Sequence, residues 1–331
     1  KPKTKKELQT AVNEWCDNRE EAIKKYYHIS TWDTSLITDM SELFYLNYNY
    51  SDLDSPTSKK NNPKRYFNDD ISKWDVSNVK DMNRMFMYTK SFNQPIGNWD
   101  VSNVKDMKYM FYDARSFNQP IGNWDVSKVK TINKMFYKAQ LFNYPIGNWD
   151  VSNVTEMIDV FNQSESFNEP IGYWDISNVS YLNGMFSGAI AFNQDIRYWD
   201  VSKTISMNNM FTGATLFKNT YENEYSYNDT PTKDFFHIQL RDDNISIAIN
   251  RWFDDNENAK KLYGKNIGDW RVDHISNMSD LFGVNIGDWR YGYNSNMSDV
   301  YNRRNKFNED ISGWNTSNVT DMQGLFKDCE A

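Results

Sequence analysis

Six aspartates stand 25 residues apart, at Asp75, Asp100, Asp125, Asp150, Asp175 and Asp200. If folding brings these positions into one column, the carboxylates could bind calcium or serve acid–base chemistry. A local role competes. Each Asp precedes Val-Ser or Ile-Ser, and a carboxylate there accepts backbone N–H bonds of the following turn. A residue repeated in every coil is there for the coil, so the local role is preferred. Asp69 and Asp70 lack the glycine that a calcium loop carries at its sixth position. Asp242, Asp243 and Asn244 resemble a helix N-cap more than a metal loop. Only His28, His237 and His274 occur, and no HExxH, GxSxG, GxxxxGK or GxGxxG is present. Cys16 and Cys329, at opposite ends, exclude a disulfide scaffold and a CxxC metal site. The expectation is no catalytic residue, no metal and no cofactor.

The composition agrees with a packed, non-catalytic chain. Aromatics make up 16% of the 331 residues, enough for a real core rather than disorder. The net charge is −8 with Lys and Arg scattered along the sequence, which implies no footprint for nucleic acid or anionic membrane. No apolar run approaches the roughly 20 residues that span a bilayer. No signal-peptide pattern opens the sequence, and a start at Lys1 without Met leaves a removed leader open.

Periodicity decides what positions these residues. Trp74, Trp99, Trp124, Trp149, Trp174 and Trp199 keep a step of 25 without a slip. Phe67 to Phe217 repeat with the same step, as do Phe86 to Phe211, each 12 residues after a Trp. Trp32 with Phe44, Trp270 with Phe282, Trp289 with Tyr301 and Trp314 with Phe326 extend the pattern. A polar insertion falls at about 47–65, and the step from Trp270 to Trp289 is a shortened coil.

Trp15 and Trp252 expose a second level of repetition. Leu8, Val12 and Trp15 match Ile245, Ile249 and Trp252 at constant offset, and both sets have helical spacing. Thr4 with Glu7 resembles a capping box. A helix laid over the end of a stack keeps its apolar cross-section dry. The expected organisation is a helical cap at 1–31, a first array at 32–220, a linker at 221–243, a second cap at 244–269 and a shorter array at 270–331.

Within one coil, Trp99 and Val101 alternate with Asn98 and Asp100, the two-residue period of a short strand. Val104, Met107, Met110, Phe111 and Ala114 follow spacings of three and four, predicting a short helix or 3₁₀ turn. Strand, turn and short helix in about 25 residues make the leucine-rich-repeat type of unit. The expected fold is thus an α/β repeat, a leucine-rich-repeat-like right-handed solenoid with short parallel strands, short helices or 3₁₀ turns, and N-terminal helical caps. The Trp column is its structural ladder, and the Met columns, such as Met107 and Met110, fill the core. Asn68, Asn93, Asn118, Asn143, Asn168 and Asn193 are expected to satisfy backbone groups at turns.

The string FNQPIGNWDVSNV followed by Met-x-x-Met-Phe resembles the BspA-like leucine-rich-repeat family, in its 25-residue branch first catalogued as a mycoplasma domain of unknown function. The resemblance is strict from Phe67 to Phe217 and looser elsewhere. It implies a bacterial surface or secreted protein concerned with adhesion, with relatives in protists and giant viruses.

Core positions repeat while outward ones vary. Gln94, Gln119, Tyr144, Glu169 and Gln194 are equivalent, as are Asn98, Asn123, Asn148, Tyr173 and Tyr198. Tyr144, Glu169, Tyr173, Arg197 and Tyr198 are the candidate partner-binding residues. The expected function is a non-enzymatic protein-binding or adhesive scaffold, its partner a host or coat protein, at a cell surface or secreted. A structural coat or cement role on a virus particle is the alternative, and a carbohydrate groove comes third. Oligomeric state is not written in the sequence. The Trp phase is directly testable: Trp124→Ala is expected to cost about 3–5 kcal/mol in denaturant unfolding, and Asn123→Ala under about 0.5. Equal losses at the two sites would overturn the assignment.

Overall fold

The computed structural model describes residues 1–45, 63–197, 199–221 and 229–236, and beyond these Leu240, Asp242, 245–254, 256–263, 266–270, Val272, 275–283, 307–327 and Cys329. The chain divides into two compact units, Lys1–Phe236 and His237–Ala331.

The first unit opens with α1 (Lys5–Asp17) and α2 (Arg19–Tyr26). Thr4 Oγ1 accepts the Glu7 N–H at 3.2 Å, while the Glu7 carboxylate takes the Lys3 N–H at 2.7 Å. That is a cap in which the return bond lands one residue before the N-cap. Leu8, Ala11, Val12 and Trp15 form the buried stripe of α1. Asn18 ends α1 and, through its side-chain oxygen, caps α2.

The coils that follow are not those of the expected leucine-rich-repeat-like α/β solenoid. Among the described residues there is no β-strand and no sheet, and the coils hold no α-helix between Tyr66 and Ala214, with short 3₁₀ helices at Pro63–Tyr66 and Ile267–Asp269. Successive coils are joined instead by isolated parallel bridges, such as Asp81↔Asp106, Asp106↔Thr131 and Thr131↔Glu156. The reason lies in the turns. Trp99 and Val101 are buried and Asn98 and Asp100 exposed. Yet the Trp99 N–H returns to Ile96 O at 3.1 Å and the Val104 N–H to Val101 O at 2.9 Å. The backbone folds back before a ladder of hydrogen bonds can start.

Spacings of three and four likewise come from consecutive turns. Met110, Tyr112 and Ala114 donate three residues back, to Met107, Tyr109 and Phe111. Met107, Tyr109, Phe111 and Asp113 donate instead to Thr131, Asn133, Met135 and Tyr137 of the next coil, at 2.7–3.3 Å. Tyr109 and Asp113 hold φ of 58° and 54°. This left-handed geometry stops a helix from propagating.

In this segment the earlier coil donates to the later one, whereas at Lys105 and Ser116 the later coil donates back, to Lys80 O and Lys90 O; the groups left over by the first set at the two ends of the stack find other partners. At the first coil, Leu43 O accepts Gln9 Nε2 from α1 at 2.8 Å and Lys64 Nζ at 3.3 Å. At the last coil, the Phe211 N–H meets Asp229 O at 3.0 Å and the Asn209 N–H meets Thr230 Oγ1 at 2.8 Å. Residues 229–236 therefore lie on that coil beside α3 (Thr215–Tyr221), with Phe235 and Phe236 buried.

Two interleaved phenylalanine columns fill the interior. Phe86, Phe111, Phe136, Phe161, Phe186 and Phe211 repeat at 5.6–5.8 Å between centroids. Phe111 also lies 3.8 Å from Phe117 and Phe136 4.0 Å from Phe142. The ladder residues Trp74, Trp99, Trp124, Trp149, Trp174 and Trp199 are all buried. Each of the last five donates its indole N–H to an Ile carbonyl of the preceding coil, as Trp124 does to Ile96 O at 3.2 Å.

In the second unit, α4 (Ile245–Asp254) and α5 (Asn256–Tyr263) precede the coil of Trp270. That coil pairs directly with the coil of Trp314: Met278 N–H donates to Asp321 O at 2.8 Å, and Trp314 Nε1 to Ile267 O at 2.7 Å. The shortened coil expected from Trp270 to Trp289 is described only as far as residue 283, and its remainder, with the coil of Trp289, lies outside the described residues.

Close approach of the coils depends on glycine at one corner. A Cβ on Gly122 would sit 2.3 Å from Pro145 O of the next coil. Gly122→Ala is expected to destabilise the protein by about 1–3 kcal/mol. Urea unfolding checks this, and an unchanged midpoint would contradict the spacing.

Candidate binding surface

The repeated polar residues are occupied in holding the backbone. Oδ1 of Asp75, Asp100, Asp125, Asp150, Asp175 and Asp200 each accepts the N–H of the Ser two residues on, at 2.9–3.1 Å. The asparagines form a ladder: Oδ1 of Asn68, Asn93, Asn118, Asn143 and Asn168 accepts the N–H of the equivalent Asn one coil later, at 2.8–3.0 Å. The ladder stops at Asn193, whose buried Oδ1 has no partner. The next equivalent residue, Lys218, belongs to α3 and donates its N–H to Ala214 O.

A second polar column clamps the first, with two breaks. Gln94, Gln119 and Gln194 donate Nε2 to the Asn carbonyl of the preceding coil at 2.8–2.9 Å. Tyr144 and Glu169 stand at the same position without an amide to donate. Tyr144 is 37% exposed, and Glu169 is half-buried, its carboxyl pushed up by burial. Tyr173, four residues beyond Glu169, is 64% exposed. Tyr144 and Glu169 thus stand at equivalent positions of two adjacent coils, with Tyr173 on the second of them.

Arg197 has a different environment. It pairs with Asp195 at 2.9 Å and lies over the Tyr221 ring of α3 at 5.3 Å. It occupies the corner held by Gly97, Gly122, Gly147 and Gly172 in earlier coils, at the end of the array. Tyr198 lies outside the described residues.

Among the described residues, groups able to do chemistry do not converge. The His28 ring stands edge-on to Trp15 at 5.1 Å, with Nδ1 accepting the Ser30 N–H. Burial pushes the Cys16 thiol up to about 12, which keeps it protonated. A depression of about 530 Å³ beside α1 is lined by Lys6, Thr10, Lys25, Tyr26 and Trp32 among others, with no His, Cys or Asp. Among the described residues, no three His, Cys, Asp or Glu side chains are grouped to hold a metal ion. No described helix is long and apolar enough to cross a membrane.

Sequence reasoning passed over Lys80, Lys105 and Lys130. They look like scattered charge, although they keep the 25-residue step of the tryptophans.

A family model described as "Mycoplasma protein of unknown function, DUF285" matches residues 10–143, 119–225 and 247–331. No curated protein and no solved structure matches the chain.

Asp100 and Asp125 make stability depend on pH. Hydrogen bonds from Ser102 and Ser127, side chain first and backbone second, hold Asp100 and Asp125 below the ordinary carboxylate range. A depressed folded value adds stability above the unfolded pKa of about 4, which is lost as the pH falls through the folded value. Asp81, raised first by burial, works in the opposite sense. Asp100→Asn/Asp125→Asn is therefore expected to lose less stability than the parent below about pH 4. Denaturant unfolding across a pH series checks it, and parallel curves would refute it.

Proposed function

The chain belongs to the DUF285 family of mycoplasma proteins of unknown function, and on that premise we propose that it is a non-enzymatic scaffold binding a protein partner. The observation that carries this reading is the break in the glutamine clamp at Tyr144 and Glu169, beside exposed Tyr173. Where the other repeats hold an amide for the backbone, two coils carry side chains with no amide to donate. A tyrosine offers a large contact area, one polar end and few rotatable bonds, the profile of an interface anchor. Glu169, half-withdrawn from water, recognises a donor better than an open carboxylate does. The resemblance of the repeat to BspA-like proteins supports an adhesive role at a cell surface or after secretion.

Tyr144→Ala/Tyr173→Ala tests the reading, because neither side chain belongs to the buried core. Against partners captured by the parent protein, the double variant is expected to bind at least about tenfold more weakly, with an unchanged unfolding midpoint. Equal affinity for every captured partner would remove this surface from the function.

A further inference from the structure

The fold gathers lysines that the sequence spreads out. The Lys105 N–H donates to Lys80 O and the Lys130 N–H to Lys105 O, both at 2.9 Å. The three backbones are thus immediate neighbours, and their side chains leave the surface roughly 4.8 Å apart, the separation of hydrogen-bonded chains. All three residues are exposed. Lys130 Nζ reaches only the neutral amide of Asn153, at 3.0 Å. Among the described residues none of the three makes an ion pair, although like charges this close repel one another.

The surroundings of this row are basic as well. Residues 80–88, 105–113 and 130–138 carry seven cations against three carboxylates, a balance of +4 in a chain of net −8. The equivalent stretches of the next three coils, 155–163, 180–188 and 205–213, carry two carboxylates and no cation. The charge is therefore confined to three coils. The stretches that follow the three lysines hold a tyrosine cluster: Tyr88 meets Tyr112 edge-on at 5.3 Å, and Tyr112 lies on Tyr137 at 4.5 Å with a 6° tilt. Arg84 covers Tyr109, and Lys134 and Lys138 cover Tyr137, at 5.1–5.8 Å.

We propose that the row Lys80–Lys105–Lys130, rather than Arg84 and Lys134, which pair with Glu42 and Asp159, binds a linear sulfated polysaccharide. An evenly spaced row of ammonium groups calls for a polymer carrying fixed anions along its length. Two classes of polyanion meet that demand, and the tyrosines separate them. A single-stranded nucleic acid gains affinity by stacking bases on free aromatic faces. Here the ring faces are taken by one another and by cations, so the stack presents edges and hydroxyls to its ligand. A sulfated sugar chain needs no free aromatic face, so it loses nothing where the rings are already covered.

The experiment measures binding of the full chain to heparin, to desulfated heparin and to a single-stranded oligothymidylate. Lys80→Gln/Lys105→Gln/Lys130→Gln is compared with Lys3→Gln/Lys6→Gln/Lys24→Gln, which removes equal charge from exposed positions on the N-terminal segment. The row variant is expected to bind heparin at least about tenfold more weakly, with the loss shrinking as salt rises. The control variant should stay close to the parent, and desulfated heparin should not bind. Equal heparin affinity of row and control variants, or oligothymidylate binding as tight as heparin, would overturn the proposal. It stands apart from the protein-binding reading: Tyr144→Ala/Tyr173→Ala should leave heparin affinity unchanged whatever it does to a protein partner.

Discussion

Everything in the first unit follows from the requirement that each coil present the same cross-section to the next. The inter-coil bonds from Met107, Tyr109, Phe111 and Asp113 pair with carbonyls 24 residues on, and only an unchanging count keeps donors opposite acceptors. The phenylalanine columns impose the same condition, since a ring displaced by one residue would leave the interior. Backbone register and aromatic packing thus enforce one another. The corner glycines answer the same demand from outside, where Gly122 admits the Pro145 carbonyl at a distance that no side chain allows.

A stack with directional hydrogen bonds cannot simply stop. The backbone groups of its outermost coils lack the partners a further coil would supply, and buried backbone groups without partners cost free energy. The first unit meets this need at its two ends with different elements. Gln9 and Lys64 supply donors at the first coil, and Asp229 and Thr230 supply acceptors at the last. The departures of the terminal coil make sense in this light. Arg197 replaces the corner glycine at the end of the array, and its guanidinium turns to Tyr221 of α3. Asn193 keeps its amide although the helix takes away its partner.

The buried columns were legible in the sequence because burial demands particular residue types at a fixed step. Trp99, Phe111 and Phe117 could be placed inside without any structure. The missing strands were not legible, since alternating burial along Asn98–Val101 arises from a turn as readily as from an extended chain. The left-handed positions were hidden for a related reason. Gly184, Gly188 and Gly213 write them openly, but earlier coils put Tyr109, Asp113, Lys134 and Lys138 there. Cooperative stacking holds those residues in a conformation their own preferences disfavour. Tyr144 and Tyr173 were visible as departures from the repeat, whereas the tie of Arg197 to α3 depends on a helix that packs back onto the last coil.

The repeat also limits where function can lie. Any side chain whose type is constant in every coil is accounted for by the stack: Asp by its turn, Asn by its ladder, Trp by its carbonyl. Recognition is left to positions the stack tolerates in several forms, and two such sets occur on different coils. Tyr144, Glu169 and Tyr173 break a polar clamp, while Lys80, Lys105 and Lys130 give way to Thr155, Ser180 and Ile205. Neither substitution improves packing, and the lysine row adds repulsion between near neighbours. A feature that costs stability in three consecutive coils and then ends abruptly is better explained by what binds it than by what folds it.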